Sequence, residues 1–99
     1  VVASCECFEH NRDWTATFQR MIELARPGGL VFFTCATTGR PEHGTRRSDP
    51  GSSPFTQDYY RNLTEEDFRG ICNFDETFSM YQFDVETGHK DLFFHGFKR

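Results

Sequence analysis

The chain has 99 residues, a formal net charge of -4 and a mean hydropathy of -0.65. That length suits one small domain, which can bury a core but keeps only a modest margin of stability. The acidic balance argues against nucleic acid as the main ligand, and no stretch reaches the roughly 18 apolar residues that a membrane-spanning helix requires.

Val1-Val2-Ala3-Ser4-Cys5 is an apolar run ending in polar residues and predicts a buried strand. Trp14, Phe18, Met21, Ile22 and Ala25 then fall on one stripe of a 3.6-residue period, with Arg12, Thr15, Gln19, Arg20 and Glu23 mostly opposite. A helix over Trp14–Ala25 should lay that stripe on a sheet. Asp13 or Asn11 can cap its start, and Pro27-Gly28-Gly29 ends it. Leu30-Val31-Phe32-Phe33-Thr34-Cys35 reads as a second buried strand. Strand, helix and strand in this order form a crossover unit whose strands run parallel.

The stretch from Ala36 to Asn62 is punctuated by Gly39, Pro41, Gly44, Pro50, Gly51 and Pro54 and predicts a long loop of the functional kind. It carries Arg40, His43, Arg46, Arg47 and Asp49, followed by Tyr59 and Tyr60. Its arginines can offer paired donors to a carboxylate or phosphate, or simply solvate the loop. After it, Thr64 caps a short helix through Glu65-Glu66-Asp67-Phe68, with Asp67 completing a capping box and Leu63 placed to staple against Phe68. That helix should end near Gly70 or Cys72. Tyr81, Phe83 and Val85 alternate with Gln82 and Asp84, a turn runs through Glu86 to Lys90, and Leu92 to Phe97 returns as the second strand of an antiparallel hairpin.

Cys5 and Cys7 are expected to share one strand face with Cys35 on the neighbouring strand. Their spacing, with Cys72 alone, matches no common zinc pattern and predicts buried, reduced thiols. Asn62-Leu63-Thr64 matches a glycosylation triplet but serves better as a helix cap. Twelve phenylalanines imply aromatic-rich strands, or a flat aromatic surface patch that marks an interface.

Glu6-Cys7-Phe8-Glu9-His10 is similar to the E-x-x-E-H signature of small-molecule O-methyltransferases of the ubiquinone-biosynthesis type, and Leu24-Ala25-Arg26-Pro27-Gly28-Gly29-Leu30 resembles their turn into strand five. Thr34 to Gly44 extends the likeness. The resemblance is to the second half of a class I S-adenosylmethionine-dependent methyltransferase and covers nearly the whole chain. It implies an α/β fold: half of a Rossmann-like sheet of about four strands, two parallel plus a carboxyl-terminal hairpin, with two helices and a long loop. The last strand would insert antiparallel beside the second, giving the order first, second, fourth, third. The glycine-rich loop after strand one and the acidic residue after strand two, which hold the cofactor's methionine tail and ribose, are not among these residues.

The resemblance therefore implies S-adenosylmethionine as the cofactor of a complete enzyme, with Cys5 and Glu6 bordering it, and little activity for this chain alone. The loop residues Arg40, His43, Arg46, Arg47, Tyr59 and Tyr60 would then border the acceptor. Ligands bind at the carboxyl ends of strands in open α/β sheets, so Glu6, Glu9 and His10 are the candidate chemistry. They can hold one divalent ion, His10 with Glu9 can act as the base, or Glu9 and His10 can simply start the helix. The alternative function is a non-enzymatic module that binds a small anion or a protein through the loop. An open first strand predicts a homodimer, a separate amino-terminal half being the other possible partner. With no basic-then-apolar leader, a cytoplasmic protein is expected, its start at Val1 being a processed, cloned or truncated end.

Overall fold

The sheet is built outward from β2 (Leu30–Ala36), with β1 (Val2–Cys5) on one side, β4 (Asp91–Lys98) on the other and β3 (Phe78–Glu86) beyond β4. The structure is a computed structural model that describes residues 1–49, 51 and 58–99. Pro50 and Pro54 of the expected loop lie outside the described residues. β1 runs parallel to β2, with Val2 opposite Val31 and Cys5 opposite Thr34. β4 pairs antiparallel with both neighbours, Phe94 facing Phe33 on one side and Phe83 on the other. β3 therefore points the same way as β1 and β2, and β4 alone is reversed.

The strand-helix-strand unit follows from its sequence pattern. α1 (Trp14–Leu24) buries Trp14, Phe18 and Met21, the predicted stripe, against the sheet. Of the two residues expected at its start, Asp13 makes no side-chain cap, and Asn11 Oδ1 accepts the Asp13 N–H at 2.9 Å. At its far end the chain reverses through Gly28, whose φ of 79° favours glycine and whose N–H donates to the Lys98 carbonyl at 2.6 Å. α2 (Glu65–Arg69) carries the full capping box between Thr64 and Asp67. A further turn of helix, α3 (Phe74–Thr77), is capped by Asn73 and was not expected.

The phenylalanines explain the cohesion of so small a sheet. Phe33 lies fully buried at its centre, stacked on Phe68 at 4.3 Å between centroids and on Phe94 at 5.2 Å. Phe8, Phe18 and Phe74 close around this stack, with Phe18 edge-on to Phe33 at 5.6 Å. Offset and edge-on ring pairs of this kind add to the apolar area they bury. Gly96 leaves the space for it: a Cβ there would meet Phe78 and Phe94 ring carbons at 2.8 Å. On the other face of the sheet Phe32, Phe93 and Phe97, with Leu30, line a shallow apolar groove, Phe93 remaining 41% exposed. Core strands and a surface aromatic patch thus both occur.

Two expectations about the first strand fail. β1 is half exposed rather than buried, with Ala3 and Cys5 on the surface. Nor do Cys5 and Cys7 share a strand face: Glu6 adopts φ 50°, which ends the strand before Cys7, and both thiols are exposed. All four cysteines are free, and Cys35 is buried as expected. No helix among the described residues is long and apolar enough to cross a membrane.

Candidate functional site

The left-handed backbone at Glu6 turns the chain off the carboxyl end of β1 into a single 3₁₀ turn, Phe8–His10. Phe8 points into the aromatic core and anchors the turn, so Glu9 and His10 are fixed beside the end of β2. Glu9 is 0% exposed. Its Oε2 accepts the Ala36 N–H at 2.7 Å, and its Oε1 is buried without a hydrogen-bond partner. His10 Nε2 stands 4.0 Å from that bare oxygen, and His10 Nδ1 is likewise buried without a partner. Burial pushes the Glu9 carboxyl above its ordinary range, opposed by the Ala36 N–H. Burial first, and His43 second, hold the His10 imidazole below its usual value.

The loop after β2 brings the remaining pieces. His43 meets the His10 ring edge-on at 5.0 Å, and Tyr60 lies 5.0 Å from His43 and 5.5 Å from His10. His43 Nδ1 is 3.1 Å from the Pro41 carbonyl. A carbonyl only accepts, so that nitrogen carries the proton and Nε2 keeps its lone pair. One ligand atom from each of Glu9, His10 and His43 lies within 4.8 Å of the others. The Tyr60 hydroxyl donates to Asn62 Oδ1 at 2.6 Å, and burial, then the Glu9 charge, push its pKa up to about 12.

Three further predicted residues are not members of the Glu9–His10–His43 group. Glu6 is not in the Glu9–His10–His43 group: it faces Arg40, 3.8 Å from Nη1, while its own N–H donates to the Thr34 carbonyl at 2.8 Å. Desolvation is the main cause that raises the Glu6 carboxyl. Cys5, at the end of β1, is exposed. Tyr59 lies under the Arg12 guanidinium at 5.4 Å.

The loop arginines are engaged within the chain. Arg40 pairs with Asp91 at 2.6 Å, Arg46 with Asp58 at 3.7 Å, and Arg47 with Glu42 at 3.1 Å. Their charge is balanced by these carboxylates rather than turned toward the histidines. The sequence points to His43 as a loop contact to an acceptor, not as a partner of Glu9 and His10. The signal that could have linked them is a second histidine in the loop that returns past the same strand ends. The sequence marks Asn62 only as part of a cap, although its side chain bonds both Tyr60 and Arg40.

A carboxylate oxygen and two imidazole nitrogens within 4.8 Å of one another form a donor set suited to a divalent first-row transition metal. Comparison with known protein families, curated proteins and solved structures finds no match to this chain.

Proposed function

We propose that these residues form the acceptor-side half of an S-adenosylmethionine-dependent methyltransferase in which Glu9, His10 and His43 hold a divalent cation. The observation that carries this reading is the strand order β1-β2-β4-β3 with β4 alone reversed. The sequence resemblance implies that arrangement, and it puts the site at the carboxyl ends of the parallel strands, where open α/β sheets bind ligands. The orphaned Glu9 Oε1, 4.0 Å from His10 Nε2, supports the cation, because buried polar atoms rarely go without a partner.

A cation held by Glu9, His10 and His43 would supply the Lewis acidity that orients and acidifies an acceptor hydroxyl. Glu9 stays fixed through its Ala36 bond and offers its free oxygen inward. His10, its pKa lowered, is neutral at pH 7, so its ring keeps the lone pair that a cation needs. Tyr60 and His43 wall the site on the loop side and shield it from water. Displacement at the methyl carbon is in line, so holding the acceptor oxygen in place is the chief contribution of these residues.

Labelled methyl transfer from S-adenosylmethionine to small hydroxyl acceptors by the native protein tests this. Transfer that stops on chelation, returns with Mn²⁺ or Co²⁺, and fails in Glu9→Gln supports it. Full activity in Glu9→Gln overturns it, as does tight saturable binding of S-adenosylmethionine by residues 1–99 alone.

A further inference from the structure

The third member of the candidate centre, His43, sits on a loop, and something must fix that loop over Glu9 and His10. We infer that Arg40 is the positioning residue that does so, acting through Asn62 and Tyr60. This deepens the cation reading above and rests on it only for its metal readout.

The contacts form one connected path. The Arg40 guanidinium donates to Asp91 Oδ1 at 2.6 Å and to the His89 carbonyl at 3.1 Å, both at the hairpin turn into β4. It also faces Glu6 Oε1 at the end of β1. All three contacts are made from one nitrogen, Nη1, so a lysine ammonium, with its shorter reach, should retain only part of them. With its side chain clamped between two strand ends, the backbone of Arg40 is fixed, and its N–H donates to the Thr37 carbonyl at 3.0 Å. Its carbonyl accepts Asn62 Nδ2 at 2.9 Å. Asn62 Oδ1 in turn accepts the Tyr60 hydroxyl, which also reaches the Pro41 carbonyl at 3.3 Å. Pro41 is the same carbonyl that sets the His43 tautomer. Tyr60 then packs its ring against both histidines.

Both described ends of the loop therefore meet at Arg40. The leading end runs from Arg40 through Pro41 to His43, and the returning end runs from Tyr60 through Asn62. Neither Arg40 nor Asn62 touches the Glu9–His10–His43 group itself, so they act on its geometry. Arg40 is also the one loop arginine bonded to the hairpin, whereas Arg46 and Arg47 pair within the loop. Loop docking and completion of the site are thereby linked: what weakens the Arg40 clamp withdraws His43, and a ligand that binds His43 favours the docked loop.

The test is proton NMR of the full chain and of Arg40→Met, Arg40→Lys, Tyr60→Phe and His43→Ala, with the cation-free His10–His43 ring contact and Co²⁺ affinity as readouts. The ring-to-ring Overhauser contact should be present in the unmodified chain, lost in Arg40→Met and only partly kept in Arg40→Lys. Co²⁺ affinity should fall about tenfold or more in Arg40→Met, the range seen for groups that orient metal ligands. Arg40→Met should add no further loss once His43→Ala is present, since its effect passes through that ring. A ring contact that persists in Arg40→Met, or losses that simply add, would overturn the inference. If the unmodified chain takes up no Co²⁺ but the contact still depends on Arg40, the cation reading fails and the positioning role stands.

Discussion

Glu9 Oε1 and His10 Nε2 face each other at 4.0 Å inside the protein, too far apart to bond and with no other partner for the carboxylate oxygen. A buried, half-satisfied carboxylate costs stability and is retained where it binds something.

Glu9→Gln removes the charge and keeps an oxygen for the Ala36 N–H. It should raise thermal stability at pH 7 in chelator, because the charge that burial penalises is gone. The same change should abolish cation uptake. Calorimetry with and without Mn²⁺ checks both, and a less stable Glu9→Gln in chelator counts against the orphaned-oxygen argument.

The two groups give opposite pH dependences in the absence of metal. Glu9 has a folded pKa raised above 4.5, so the stability it contributes is full below 4.5 and is lost as pH rises through the folded value. His10 has a folded pKa below 6.5, so its contribution is full above 6.5 and is lost as pH falls through the folded value. Urea unfolding across pH 4 to 8 should therefore lose its acid-side gain in Glu9→Gln. In His10→Asn the loss below 6.5 should be reduced.

The aromatic stack is the main source of cohesion. Phe33→Ala, at a site with no exposure, should cost about 3–5 kcal/mol, enough to unfold a marginal domain of this length. Gly96→Ala should also destabilise, because its Cβ would press on two ring carbons at 2.8 Å. Far-ultraviolet circular dichroism melts decide this: an unchanged midpoint in either variant would contradict the packing described.

β1 is the open margin of the sheet, bonded to β2 on one side only among the described residues. The Glu6 N–H bonds to Thr34, so by the alternation of parallel ladders the Ala3 N–H points outward. Self-association through this edge is expected. Light scattering should give twice 11.6 kDa, and Ala3→Pro, which removes the outward donor, should give the monomer mass. A monomer without the substitution contradicts it.

Much of this architecture was legible because local signals agreed with the whole. The α1 stripe, the Pro27-Gly28-Gly29 stop, the Thr64 and Asp67 box and the alternation in β3 each specify an element without help from distant residues. The strand order came from resemblance, not from pattern. What escaped was set by tertiary contacts: the φ of 50° at Glu6, the single turn of α3, and the meeting of His43 with His10 across the loop. Arg40, Arg46 and Arg47 show the same limit, since a row of loop arginines looks identical in sequence whether it awaits a ligand or pairs with its own carboxylates.

Isothermal titration of the full chain with Mn²⁺ or Co²⁺ at pH 7 tests the candidate centre most directly. One saturable site, lost in both Glu9→Gln and His43→Ala and kept in Arg46→Gln, is the result expected. Absence of binding, or binding that survives His43→Ala unchanged, would contradict a cation held by Glu9, His10 and His43.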